Sequence, residues 1–331
     1  MSISSEPKLR HYTAMRITLI TPYGRAFRNG NAHTALRWSR FLRAAGHRIS
    51  LAERWDGTAS DLMIALHARR SYDAIRDFAR SHPSRPLIVA LTGTDLYRDI
   101  NESPEAQEAL DLAHRLVVLQ DKGPEALPER LAGKTRVIYQ SAADMPRRPA
   151  ARDVFEVLVV GHLREEKDPF RTALASAWLA PQARTRIIHI GRAVDEGYAE
   201  AARYLERRLE RYTWLDERTH AYTLGRLSAA HLLVVSSIME GGANVICEAL
   251  AAGTPVLASE VPGNIGMLGA DYPGYFPVGD ERRLARLISH AEYDPDFYAD
   301  LLRHGRARRE LMRPEKEASR LRQLVGEFEI G

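Results

Sequence analysis

Short apolar runs alternate with amphipathic segments along this chain, and the alternation occurs twice. In the first half, RITLIT (16–21), DLMIALH (61–67), PLIVALTG (86–93), RLVVLQ (115–120) and TRVIYQS (135–141) are short runs with apolar centres. That is the pattern of strands buried on both faces. Between them, TALRWSRFLRAAGH predicts a helix with Leu36, Phe41, Leu42 and Ala45 on one face and a stop at Gly46. SYDAIRDFARSH predicts a second helix. SPEAQEALDLAH predicts a third, with Ser103 as N-cap and Pro104 at the first helical position.

The stretch ADMPRRPAARD (143–153) interrupts the pattern with prolines and charge and reads as a linker. The alternation then restarts with strands at FEVLVVG (155–161), RIIHIG (186–191), YTWL (212–215), HLLVVSS (231–237) and PVLAS (255–259). Helices are expected at EGYAEAARYLERRLE and after the glycine pair Gly241–Gly242, and from about residue 281 the chain reads as helical and charged. The fold class that follows is α/β, with two doubly wound, Rossmann-like domains. The expected division is an extension over 1–15, an N-terminal domain over 16–145 and a C-terminal domain over 146–295. Helices over 296–331 would then pack back toward the first domain. Ligands of such sheets bind at the strand C-termini, so a cleft between the two domains is the expected site.

Composition narrows the class. At 331 residues, 45% hydrophobic and 27% charged, the chain has the profile of a soluble globular protein, and no apolar run approaches the length of a membrane span. The opening MSISSEPKLRHYTAM lacks the apolar stretch of a secretory signal. Its one cysteine, Cys247, leaves no intrachain disulfide and no Cys-cluster metal site, which fits a reducing cytoplasm and reads most simply as a small core residue. A net charge of +4 and a pI near 9.2 give a mild bias toward anionic ligands such as phosphates. No zinc-finger spacing or basic–aromatic motif points to nucleic acid. Only five of the 47 basic residues are lysines, a bias with a simple genomic cause, but it makes a lysine inside a motif worth noting.

The chemistry concentrates in MEGGANVICEALAAG (239–253), a strand end, a glycine turn and a helix start. Backbone N–H groups of Gly242, Ala243, Asn244 and Val245 would point out of the first helical turn. With Gly241 they would form a cradle for a diphosphate. The segment matches neither G-x-G-x-x-G nor the Walker pattern, so a nicotinamide dehydrogenase has no fingerprint here. Glu240 and Glu248 lie eight positions apart, about 12 Å at a helical rise. A carboxylate accepts from vicinal hydroxyls, so Glu248 could hold a ribose and Glu240 a transferred sugar. A helix-start carboxylate at Glu240 and a solvated Glu248 are the plainer alternative. DPD at 294–296 matches a metal-binding D-x-D, but no strand precedes it, which makes it a coincidence of composition.

E-x7-E followed by ALAAGTPVLAS resembles the donor-site signature of the family 4 glycosyltransferases. TPYGRAFRNGNAHTALRWSRFLRAAGHRI is similar to that family's glycine-loop opening and first helix, and VIYQSAADM to its hinge. VVGHLREEKDPF resembles its G-R-L-x-x-E-K-G, whose arginine and lysine hold the donor diphosphate. The resemblance covers nearly the whole chain. It implies the GT-B fold, two facing Rossmann-like domains with the ligand cleft between them, and a hexosyltransferase that needs no cofactor and no metal. By position Lys167 takes the lysine role. His162 stands where the arginine would be, which makes Arg164 the candidate cation and leaves the role of His162 open. The resemblance thus implies Glu240, Lys167 and Arg164 as catalytic, and Gly161, Gly241, Gly242, Ala243, Asn244, Val245 and Glu248 as donor-binding.

LHARRS, LTGTDLYRDI, VIYQS, GHLREEKDPF and PGNIGMLGADYPGYFPVGD together resemble a narrower family, the selenosugar synthases of selenoneine biosynthesis. Its members couple selenophosphate to the sugar of UDP-N-acetylglucosamine or UDP-glucose with formation of a C–Se bond. One departure from the wider family is consistent with this. Where family 4 enzymes commonly carry a histidine turn, this chain has LTGTD. A hydroxyl acceptor benefits from a positioned base, whereas the selenium of selenophosphate is already anionic. The expected acceptor site then includes Gly30, Asn31, Thr92, Gly93, Thr94 and Arg69 or Arg70. His67, at the end of a strand, is a further candidate. Solvated arginines and a satisfied structural histidine are the plainer readings of the last three. The partners implied are a UDP-sugar and selenophosphate. The competing functions are a family-4-like transferase with a hydroxyl acceptor and a non-catalytic nucleotide-sugar binding protein, with a sugar-nucleotide epimerase more remote.

Overall fold

The structure is a computed structural model that describes residues 14–22 and 30–328. The expected extension lies outside these residues except for its last two positions, and so does most of the glycine-loop opening. The described chain forms two compact units, and it passes between them more than once. The first comprises residues up to Ala90, then Ser103–Val117 and 318–328; the second comprises Leu91–Glu102 and Val118–Glu317. Segments 91–102 and 118–145, expected with an N-terminal domain, therefore belong with the second unit. Of the C-terminal helices, those up to Glu317 do so as well.

Among the described residues, twelve strands form two six-stranded sheets. The first contains β1 (Arg16–Ile20), β2 (Arg48–Ala52), β3 (Leu62–Leu66), β4 (Leu87–Ala90), β5 (Arg115–Val118) and β6 (Thr135–Val137), in the order β2-β1-β3-β4-β5-β6. β1 pairs parallel with β2 and β3, β3 with β4, and β4 with β5. β3 and β4 are buried along their whole length, as their unbroken apolar runs require. β2 has no such run. It is an edge strand with Arg48 and Ser50 facing out, and an edge strand needs apolar residues on one side only.

Among the described residues, the longer helices with this sheet are α1 (Gly30–Ala44), α2 (Tyr72–Ser81) and α3 (Pro104–Leu112). α1 buries Ala35, Trp38 and Leu42, while Leu36 and Phe41 are only half-buried. The buried face is thus turned from the expected one, toward the side that carries the bulky Trp38. Ser103 caps α3 as expected, its Oγ accepting from the Ala106 N–H at 3.2 Å.

The second sheet contains β7 (Phe155–Val160), β8 (Thr185–Ile190), β9 (Tyr212–Trp214), β10 (Leu232–Val235), β11 (Val256–Ser259) and β12 (Tyr275–Phe276). It runs β12-β11-β10-β7-β8-β9 and is parallel throughout. Around it lie α4 (Arg171–Ser176), α5 (Glu196–Arg208), α6 (His220–Leu227), α7 (Asn244–Ala252), α8 (Pro262–Leu268), α9 (Glu281–Tyr293) and α10 (Pro295–Arg309); α11 (Pro314–Gly326) follows. α7 packs Ile246, Cys247, Ala249 and Leu250 into the core and ends at Gly253, whose φ of 66° suits a residue without Cβ. Cys247 is a buried core thiol, its Sγ donating to the Gln140 carbonyl at 3.3 Å. DPD is a helix cap: Asp294 Oδ1 accepts from the N–H groups of Asp296 and Phe297 at the start of α10. Among the described residues no helix is long and apolar enough to cross a membrane.

Candidate active site

Every residue expected to bind the donor lies in the second unit, where three turns meet at the C-terminal ends of β7 and β10. The first turn links β10 to α7 and carries Glu240, Gly241, Gly242 and Ala243. The second, after β7, runs from Gly161 to Asp168. The third is LTGTD, residues 91–95, which follows β4.

Glu240 is 8% exposed, so its carboxylate needs partners. It has two: Ser237 Oγ donates to its Oε1 at 2.6 Å, and Lys167 Nζ bonds the same oxygen. The two groups expected to serve different parts of a donor are therefore paired with each other. The Lys167 turn is tied to β10 in other ways. Ser236 Oγ donates to the Asp168 carbonyl at 2.9 Å, and the Ile238 N–H to the Glu166 carbonyl at 3.0 Å. Asp168 ends the turn with a left-handed φ of 41°. On the far side, a Cβ at Gly263 would overlap the Glu240 carbonyl, so the glycine of PGNIG lets α8 approach the site.

The glycine pair has a job the sequence did not suggest. A Cβ at Gly241 would overlap the carbonyl of Thr92, and one at Gly242 would lie 2.6 Å from Leu119 Cβ. Both positions exclude a side chain because protein packs against them. α7 starts at Asn244, and Ala243 provides no side-chain cap. Of the four N–H groups expected in the first helical turn, those of Gly242 and Ala243 precede the helix.

Gly93 has a φ of 153°; a Cβ there would lie 3.4 Å from Gly241 N, and one at Gly241 would lie 2.5 Å from Gly93 N. LTGTD and the glycine turn are thus backbone against backbone. Asp95, fully buried, organises the former: its Oδ1 accepts from the N–H groups of Thr92 and Gly93, each at 2.8 Å. Those two donors are consumed internally. Farther along the segment, Arg98 Nη2 donates to Glu166 Oε1 at 3.3 Å, and Arg164 Nε lies 3.8 Å from Glu166 Oε2. Burial alone would raise the Glu166 carboxyl, but its own backbone hydrogen bond, Arg164 and Arg98 together hold it below the usual range. Arg164 Nε is buried without a hydrogen-bond partner.

Gly161 is supported from below by a residue the sequence reading passed over. His189, fully buried on β8, donates from Nε2 to the Gly161 carbonyl at 3.2 Å, and its Nδ1 lies 3.1 Å from the Tyr212 hydroxyl. Burial pushes this imidazole down to about 4, and the neutral ring then accepts from Tyr212 at Nδ1. A Cβ at the neighbouring Gly191 would overlap the Gly161 carbonyl, so that backbone is fixed from two sides. The signal was present only as a histidine inside an apolar run, which also fits a core residue.

Glu248 is not simply solvated. Its Oε1 lies 2.8 Å from Nε2 of His220, the first residue of α6, and its side chain is 18% exposed. The hydrogen bond to Glu248 raises the imidazole above its ordinary value. His220 was not anticipated, and nothing in the spacing of 28 residues announces the pair.

The remaining acceptor candidates lie in the first unit. Gly30 and Asn31 open α1. His67, buried at the end of β3, has a left-handed φ of 73°, and its Nδ1 accepts from the Arg70 N–H at 3.4 Å. Arg69 and Arg70 are exposed in the turn before α2.

Residues 141–308 match the family model described as glycosyl transferases group 1. The fold is similar to that of Anabaena Alr3699/HepE in complex with UDP-glucose, with a TM-score of 0.76 at 18% identity, covering 95% of this chain and 100% of that one. It is similar to a sucrose-phosphate synthase from Thermosynechococcus elongatus, with a TM-score of 0.77 at 19% identity, covering 94% and 98%. A glycosyltransferase from Rickettsia africae matches with a TM-score of 0.72 at 11% identity, covering 96% and 98%.

Proposed function

Because this chain belongs to the glycosyl transferases group 1 family and has the GT-B fold, we propose that it takes a UDP-sugar, UDP-N-acetylglucosamine or UDP-glucose, and transfers the sugar to selenophosphate. The UDP-glucose held by the similar HepE supports the donor class. In this reading the diphosphate lies against the start of α7 with Lys167 and Arg164, the ribose on Glu248, and the sugar beside Glu240. The cations stabilise charge on the departing UDP, a role that needs no metal. The Lys167–Glu240 pair holds the ammonium in place before the donor arrives.

One observation carries the choice of acceptor. At the turn against Gly241, LTGTD presents hydroxyls and no imidazole, and its carboxylate, Asp95, is buried and already accepting from two N–H groups. Such a turn suits a nucleophile that arrives ionised. Selenium attacks the anomeric carbon, a C–Se bond forms, and the bond to the UDP oxygen breaks with its electron pair leaving on UDP. Water then cleaves the P–Se bond, giving phosphate and a selenosugar. The Thr92 and Gly93 N–H groups are occupied, so anion-holding falls to Thr92 and Thr94 hydroxyls and to cationic side chains. The test is mass spectrometry of the product made from UDP-N-acetylglucosamine and selenophosphate. A sugar carrying selenium and no phosphorus is expected. A product with the sugar on an oxygen acceptor would overturn this acceptor in favour of an ordinary group 1 transferase.

A further inference from the structure

His220, the first residue of α6, faces Glu248 in the middle of α7, with Nε2 and Oε1 2.8 Å apart. The reading above uses Glu248 as the ribose carboxylate and leaves His220 unexplained. We propose that His220 is a positioning residue of the nucleotide site, one that anchors Glu248 and makes affinity for the anionic donor depend on pH.

The geometry sets both parts of the role. One carboxylate oxygen is held by the imidazole, which fixes the rotamer and leaves Oε2 for a diol. The carboxylate is mostly buried and the imidazole half-exposed, so the proton on the ring exchanges with solvent while the pair stays in place. From α7, Glu248 sets a carboxylate against the ring. Of the nearby charges, Arg218 Nη1 donates to the Glu217 carbonyl and Arg226 Nη2 to Glu156 Oε2, so both are turned to other partners. A lone carboxylate beside the ribose repels the two negative charges of a diphosphate, and a protonated partner cancels that repulsion. With His220 protonated the pair is neutral. With His220 neutral the pair carries one negative charge, and the hydrogen bond remains while Nε2 keeps its proton.

Because this inference rests on the nucleotide-site reading, the test separates the two. UDP-glucose is the probe, since its diphosphate does not titrate between pH 6 and 9. Isothermal titration over that range should show wild-type protein binding about fivefold tighter at pH 6 than at pH 9. His220→Gln retains a donor without a titrating charge, and should bind like wild type at pH 9 but lose the gain at pH 6. His220→Ala should bind more weakly at every pH. A His220→Gln variant with the full wild-type pH dependence would overturn the proposal, and so would a wild-type affinity flat in pH. Glu248→Gln reports on the underlying reading: if it binds UDP-glucose as tightly as wild type, Glu248 is not in the nucleotide site, and its anchor has no function there. If Glu248→Gln weakens binding while both His220 variants match wild type, the site stands and the role of His220 falls.

Discussion

Lys167 and Glu240 form a charge pair within the candidate site, and their coupling gives a double-mutant prediction. Lys167→Met leaves a buried carboxylate with Ser237 as its remaining partner, so the protein should lose roughly 3 kcal/mol of stability. Turnover should fall by about 10²–10³, the size of losing one transition-state cation. Adding Glu240→Gln should restore much of the stability but none of the turnover, as denaturant titration and UDP release would show. If the double variant regained turnover, Lys167 would be structural. His189 gives a pH prediction at the same scale. Its folded value, about 4, is below its ordinary 6.5, so the unfolded chain takes up the proton first as pH falls. The stabilisation is complete above about pH 6.5 and is lost toward pH 4, amounting to roughly 3 kcal/mol. His189→Gln cannot take that proton, and should show a shallower loss of stability between pH 6.5 and 4 in denaturant midpoints.

Turns, more than strands or helices, separate what the sequence shows from what it hides. The buried strands were legible because β3, β4 and β10 are unbroken apolar runs and β7 is apolar except at Glu156, and α3 because Ser103 and Pro104 mark its start. β2 and α6 were not, since an edge strand and an eight-residue helix leave too short a pattern. The glycine pair was legible as a turn but not in its packing. That Gly241 abuts Thr92, about 150 residues earlier, depends on how LTGTD folds over the loop, which no local spacing encodes. Asp95 and His220 were missed for the same reason: their partners are set by tertiary contacts. The difference between two glycines tests this directly. Gly241→Ala forces a side chain into the Thr92 backbone and should cost about 1–3 kcal/mol and most of the activity. Gly253→Ala meets no neighbour, suffers only its positive φ, and should cost about 1 kcal/mol with activity retained. Thermal melts and UDP release on both variants would decide, and equal losses would contradict the packing account.

Across the whole molecule, the division into units makes its own prediction. Residues 91–102 belong with the second unit although they follow β4 of the first sheet. Donor binding should therefore slow hydrogen exchange in 91–102 together with the turns at 161–168 and 236–248. A segment 91–102 that stayed unprotected while those turns were protected would show that it does not share their cooperative unit. In the proposed reaction, this group 1 glycosyltransferase uses an ionised acceptor in place of a hydroxyl activated by a base. The most direct measurement is UDP release from UDP-N-acetylglucosamine with and without selenophosphate. If selenophosphate is the acceptor, release requires it and follows its concentration to saturation. Release at the same rate without selenophosphate would contradict the proposed reaction.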